Sequence, residues 1–383
     1  MKLRAVAALG LTAALALTAC GGDATEEATN AETTAAAEET SAAADESSAA
    51  AEETAAGSDL SGELAGMGSS AMRVAQDAWT AAFMAENPGV TVSYAAEGSG
   101  AGREGIQNGS VQFAGSDRAF RVDENQAGAF ASCAADSHVL NLPVYISPIA
   151  VIFNLEGVES LNMDAATVAG VFKGDIAKWN DPAIAALNEG VELPDEFITI
   201  VHRADDSGTT ENFTDYLSQA APEVWDAEAD GMWPYEGGQP APQTDGVKNA
   251  VASGQGTIGY VDASAADGVG IVSIGSEGNF FAPEPEAAAA AVEASPMVEG
   301  TPENDLALEL DRQSTEGYPI SLVAYAIACQ NYEDQATADL VKGYLTFISS
   351  EAGQSLAAEQ AGSAALSAGL RDQVAASIES INA

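Results

Sequence analysis

The sequence predicts an α/β fold of two lobes joined by a hinge, with a cleft between them. Three observations carry this. Strands and helices alternate through glycine-rich turns in the first part of the folded region, the pattern of a largely parallel sheet. Two long apolar runs, residues 140–154 and 320–329, read as strands that cross from one lobe to the other and back. About 325 residues lie beyond the N-terminal segments, enough for two cores.

The elements follow in order. Residues 60–64 read as a short strand leading into Gly66-Met67-Gly68-Ser69-Ser70. Residues 71–86 carry Val74, Ala78, Trp79, Ala82 and Phe83 at helical spacing, and Asn87-Pro88-Gly89 ends the helix. A strand over 90–94 runs into Glu97-Gly98-Ser99-Gly100-Ala101-Gly102, a helix follows, and residues 111–114 lead into Gly115-Ser116-Asp117. Residues 163–172 read as a helix, and Lys178-Trp179-Asn180-Asp181-Pro182 as a turn opening another. A strand over 198–202 enters Arg203-Ala204-Asp205-Asp206-Ser207-Gly208-Thr209-Thr210, and residues 211–217 continue as helix. Residues 258–261 form a strand and 286–292 an Ala-rich helix. The two crossings assign residues 59–141 and 320–383 to the first lobe and 142–319 to the second. No internal repeat is visible.

The N-terminus decides the compartment. Lys2 and Arg4 precede an apolar run over 5–19, shorter than the roughly 20 residues a membrane span needs. It reads as a secretory signal peptide, residues 1–19. The run ends in Leu17-Thr18-Ala19-Cys20-Gly21-Gly22, which resembles the bacterial lipobox, so Cys20 is the expected lipidation site. Acyl chains at about 0.8 kcal/mol per buried methylene hold such a protein on a membrane. Residues 20–58 are rich in Ala, Glu, Thr and Ser, with no aromatic or basic residue, and read as a disordered acidic tether.

Thirteen basic against 58 acidic residues give a formal net charge of −45, which argues against nucleic acid or anionic lipid as partner. Beyond Cys20 the cysteines are Cys133 and Cys329, expected to pair in an oxidising compartment, with two buried thiols as the alternative. Two histidines and no zinc or haem spacing leave no expected metal or cofactor.

A tetrahedral oxyanion needs donors converging on one point, and helix N-termini supply unpaired N–H groups at the positive end of the dipole. Three turns fit: Ser69-Ser70-Ala71, the loop of Ser99, and Ser207-Gly208-Thr209. Taken singly, each serine is better explained as a helix cap. Arg203, four residues before Ser207, adds a guanidinium to one of these turns, with Asp205 or Asp206 as its candidate salt-bridge partner. Asp117 repels an anion unless the ligand brings a proton. Hydrogen phosphate does and sulfate does not, so an acceptor here selects phosphate.

These turns, in this order, resemble the phosphate-binding proteins of bacterial phosphate ABC transporters. So do Lys178-Trp179-Asn180-Asp181, Ile258-Gly259-Tyr260-Val261 and Tyr318-Pro319-Ile320. The resemblance runs from Leu60 to the C-terminus. It implies a periplasmic-binding-protein-like (type II) fold, inorganic phosphate as ligand, the permease of an ABC importer as partner, and a monomer anchored to the outer face of the cell membrane. It places first-lobe contacts on Ser70, Ala71, Ser99 and Asp117, and second-lobe contacts on Arg203, Ser207, Gly208 and Thr209. Asp205 steadies Arg203, and Ser69 stands behind Ser70. Many members have Thr-Phe where this chain has Ser70-Ala71, which removes an aromatic wall. Arg118 is a candidate partner for the Asp117 carboxylate.

Three rival readings are weaker. Gly66-x-Gly68-x-x-Ala71 imitates a dinucleotide fingerprint, but a secreted lipoprotein has little access to NAD. A phosphatase using Ser207 and His202 lacks a nucleophile elbow, and His202 should point away from Arg203. A binding protein for sulfate, molybdate or another oxyanion keeps the fold and changes the ligand. No catalytic residue is expected.

Overall fold

A computed structural model describes residues 60–312 and 317–383. The signal peptide, Cys20 and the tether lie outside the described residues. β1 (Gly62–Gly68), α1 (Arg73–Glu86), β2 (Val90–Ala95), α2 (Ser99–Asn108) and β3 (Phe113–Ser116) follow the expected alternation. β1 pairs in parallel with both β2 and β3. α1 begins at Arg73, two residues later than expected, because Ser69–Met72 form a turn that carries Ser69 back onto β3. Its buried face is Ala75, Gln76, Trp79 and Phe83, and the indole N–H of Trp79 donates to Gly353 O at 2.7 Å.

β4 (Val139–Asn154) is a 16-residue strand, buried along all but its last residue. Its partner changes midway. Residues 139–148 pair with β11 (Ser321–Cys329), and Ile149–Asn154 pair with β8 (Thr257–Asp262). One strand thus belongs to two sheet regions, and with β6 over Thr199–Arg203 and β7 over Gln239–Ala241 the strand order is β2-β1-β3-β11-β4-β8-β6-β7. The expected largely parallel sheet is in fact mixed. β11 is antiparallel to β3 and β4, and β4 to β8. A chain that leaves one region along β4 and returns along β11 must run in opposite directions in the two strands.

The second region holds β5 (Ser160–Met163), α3 (Ala165–Lys173), α4 (Pro182–Leu187), β6 (Thr199–Arg203), α5 (Gly208–Ala220), β7 (Gln239–Ala241) and α6 (Gln243–Ser253). β8, β9 (Gly270–Ser276), β10 (Asn279–Phe281) and α7 (Pro285–Glu293) complete it. The helix expected over 163–172 is preceded by β5, which pairs with β9, and it starts only after the Asp164 cap accepts from Thr167 N–H. β6 is parallel to β7 and β8. After β11 the chain closes with α8 (Gln335–Ser349), α9 (Glu351–Ala361) and α10 (Ala368–Glu379), which the strand pattern did not announce. Tyr344 of α8 packs edge-on against Phe83, its rings 5.3 Å apart, and its hydroxyl donates to Gln76 at 2.6 Å. Among the described residues, no helix is long and apolar enough to cross a membrane.

Cys133 and Cys329 are joined, with Cα atoms 5.3 Å apart. The link fastens the segment before β4 to the end of β11.

Candidate anion-binding site

The turns at the carboxyl ends of β1, β2, β3 and β6 meet in one place, as the ends of parallel strands do in α/β sheets. Asp117, just past β3, is the centre and is buried. Its Oδ1 accepts from the Ser69 hydroxyl, and its Oδ2 from the Thr209 hydroxyl at 2.9 Å. Its own N–H donates to Ser99 Oγ at 3.1 Å. Burial pushes the Asp117 carboxyl above its ordinary value, while the hydroxyls of Ser69 and Thr209 and the charge of Arg203 pull the other way.

Gly208 approaches this carboxylate so closely that a methyl group there would lie 2.7 Å from Asp117 Cβ and 2.8 Å from Ser99 Oγ. The α5 N-terminus therefore abuts the turns of β2 and β3. Ser207 caps α5, its hydroxyl accepting from Thr210 N–H at 3.2 Å. The capping reading of Ser207 is thus met, at a residue that also borders the Asp117 cluster.

Arg203 ends β6 and is buried. Its Nε donates to Asp205 Oδ1 at 2.9 Å, and its second nitrogen to the other carboxylate oxygen. Asp205 also accepts from Gln243 N–H at 2.9 Å. Burial works to raise the Asp205 carboxyl, but the Arg203 guanidinium and the Gln243 N–H hold it below its ordinary value. A bidentate carboxylate fixes the guanidinium plane, which is how an arginine is aimed at an oxyanion. Gly98, at φ +104°, stands where a side chain would strike Asp205 and crowd Arg203.

The structure brings Ser69, Ser99, Asp117, Gly208 and Thr209 into direct contact around one carboxylate, with Arg203, Asp205 and Ser207 on the adjoining turn. Ser70 and Ala71 are buried beside them. The roles of the two serines differ: Ser69 engages Asp117, whereas Ser70 Oγ lies 3.0 Å from Thr244 Oγ1 and accepts from Thr244 N–H at 3.2 Å. Arg118 is not the partner of Asp117. It pairs with Glu124 at 2.6 Å and with Glu211 at 2.9 Å.

Sequence reading missed α6 and what it delivers. Gln243 and Thr244 open that helix and touch Asp205 and Ser70; the local signals were Pro242 before the helix, Asp245 in its first turn and Val247 with Val251 at helical spacing. It also missed Arg103, which reaches Ser116 and Asp206.

A cavity of about 400 Å³ adjoins Asp117. Its walls set Arg118, Arg121 and Arg312 against Asp117, Glu211, Asp215 and Glu309, so acidic groups outnumber basic ones there.

The comparisons decide the family. A model of the PBP superfamily domain matches residues 17–352. Phosphate-binding protein PstS 3 of Mycobacterium leprae is 37% identical over 296 residues, covering 74% of this chain and 77% of that one. The chain belongs to the PstS family of the PBP superfamily. Phosphate-binding protein PstS2 of Mycobacterium bovis is 32% identical over 391 residues, covering 99% of both chains. A crystal structure of a phosphate-binding protein from Stenotrophomonas maltophilia superposes with a TM-score of 0.65 at 20% identity, covering 82% of this chain and 94% of the other. That likeness establishes the periplasmic-binding-protein-like α/β fold. The PstS relatives are named as binding proteins, and the hydrolase constellation is not assembled in this member. His202 stacks on Trp233, and its ring nitrogens face Arg203 O at 2.9 Å and Gly237 O at 3.1 Å, not Ser207.

Proposed function

We propose that this protein binds inorganic phosphate outside the cytoplasm and delivers it to the permease of an ABC importer. The observation that carries the reading is a buried carboxylate, Asp117, facing an otherwise donor-rich cluster drawn from both sheet regions. Such an arrangement suits an anion that carries a proton. Ser70, Ala71 and Ser99 on one side, and Arg203, Ser207, Gly208 and Thr209 on the other, supply hydroxyl, N–H and guanidinium donors. Asp117 accepts the phosphate hydroxyl, and sulfate has none to give.

In this reading residues 59–141 and 320–383 form one lobe and 142–319 the other. The lobes close over the ligand about β4 and β11, and the closed face meets the permease. The change of β4 partner at Pro148/Ile149 supports a hinge at that level. Cys20 serves as the lipid anchor and the acidic segment as a tether.

Titration calorimetry with phosphate and with sulfate tests the proposal. Phosphate binding with negligible sulfate binding is expected, and tight sulfate binding by the unmodified protein would overturn the ligand assignment.

A further inference from the structure

Arg103 is a buried cation, 6% exposed, that the phosphate reading does not use. It lies on α2, on the same side as Asp117. One guanidinium nitrogen donates to Ser116 Oγ at 2.9 Å, and Ser116 is the residue before Asp117. The other nitrogen meets both oxygens of Asp206 at 3.2 Å. Asp206 belongs to the opposite region, directly after the Asp205 that orients Arg203. A single side chain therefore joins the two turns that carry the acceptor and the guanidinium of the site.

The surroundings of Asp206 fit a seat for this contact. A methyl group on Gly100 would lie 2.5 Å from the Asp206 carboxylate, and one on Gly231 would lie 2.2 Å from it. Gly100 N–H donates to Asp206 O at 3.1 Å, again across the two regions. Arg103 itself is 7% exposed at its side chain and Asp206 47%, so one partner is desolvated and the other faces water. Burial lowers the Arg103 guanidinium below its ordinary value, with nearby Arg118 adding to this and Asp206, Glu211 and Glu124 opposing it. An arginine so placed depends on Asp206 for its compensating charge.

We propose that Arg103 is a positioning residue that latches the two lobes over the bound anion through Asp206 and sets how long the anion stays. This rests on the phosphate-binding reading. The Ser116 bond lies within one lobe and persists when the cleft opens; the Asp206 bond spans the cleft and forms only on closure. An interaction made after encounter acts on dissociation more than on association.

The test uses the full chain, inorganic phosphate, and stopped-flow release of the ligand from the unmodified protein, Arg103→Gln, Asp206→Asn and the double variant. Each single change is expected to speed dissociation by about 3- to 10-fold, with the double variant no faster than Arg103→Gln. Association rates and the melting temperature of phosphate-free Asp206→Asn are expected to match the unmodified protein. Unchanged dissociation in Asp206→Asn, or single effects that multiply in the double variant, overturns the latch. Asp206→Asn keeps the question open to refutation even if Arg103→Gln folds poorly. An unmodified protein that binds no phosphate sinks the phosphate reading itself, a separate outcome visible before any variant is made.

Discussion

The Thr209 hydroxyl donates to Asp117 at 2.9 Å, joining the first turn of α5 to the end of β3. Asp117 is the one acidic group at the centre of a donor cluster, so its removal tests the ligand. Asp117→Asn keeps the shape and supplies an N–H₂ where an acceptor stood. A charged hydrogen bond is worth about 1.5–3 kcal/mol, so phosphate affinity should fall by about 10- to 100-fold. Sulfate affinity should rise at the same time, measured by calorimetry on both anions.

Arg203→Gln removes the guanidinium and leaves Asp205 buried beside it. Phosphate affinity should drop by about 100-fold or more. Asp205→Asn should cost less, because the guanidinium remains and loses only its orientation. Comparing the two dissociation constants checks the order. A larger loss in Asp205→Asn than in Arg203→Gln would contradict the assigned roles.

Gly208→Ala places a methyl group 2.7 Å from Asp117 Cβ and 2.8 Å from Ser99 Oγ. Overpacking of this kind costs about 1–3 kcal/mol, here charged to the closed arrangement. Phosphate affinity should fall by about 5- to 100-fold while the melting temperature without phosphate stays the same or rises slightly. Alanine is the better helix former, and this is a helix start. Equal affinity in the variant would show that Gly208 does not abut the acceptor turn in the bound state.

Asp262 ends β8 beside the point where β4 changes partner, and it is fully buried. Its Oδ1 accepts from Tyr145 at 3.0 Å and from Ser264 N–H at 2.9 Å. Burial pushes the carboxyl up to about 6, against the hydrogen bonds of Ser264, Ser147 and Tyr145. Between the ordinary carboxylate value and about 6, the folded state holds a proton that the unfolded state has lost. Stability from this group is therefore full at low pH and declines as pH rises through that window. At about 1.4 kcal/mol per pH unit, the total is of the order of 3 kcal/mol. Asp262→Asn should raise the melting temperature at pH 7 relative to the unmodified protein, and the gain should vanish near pH 4.

Reduction of the Cys133–Cys329 link opens a loop with a sequence separation of 196 residues. Loss of a native disulfide typically costs about 2–5 kcal/mol. Denaturant unfolding with and without reductant should show a loss of that size. Both cysteines lie on the side of β4 that pairs with β11, so phosphate affinity should change little once the protein is folded.

Much of this molecule is legible along the chain. The strand-turn-helix order, the buried crossing strands and the Arg203–Thr210 turn are local patterns, set by side-chain periodicity and by glycine and serine at strand ends. Helix N-termini and small residues announce an anion site because their chemistry is carried by neighbours in sequence. Asp117, read as an acceptor, is what makes the proposed ligand an anion that brings a proton. Pairings between distant segments are of another kind. Nothing near Arg118 says that it serves Glu124 and Glu211 instead of Asp117, and nothing near Arg103 points to Asp206. Ser69 and Ser70 look equivalent in sequence, and only the approach of α6 and β3 gives one to Thr244 and the other to Asp117. The tertiary structure decides these because a side chain's partner is fixed by where two remote turns meet, and that meeting is set by packing across the whole fold.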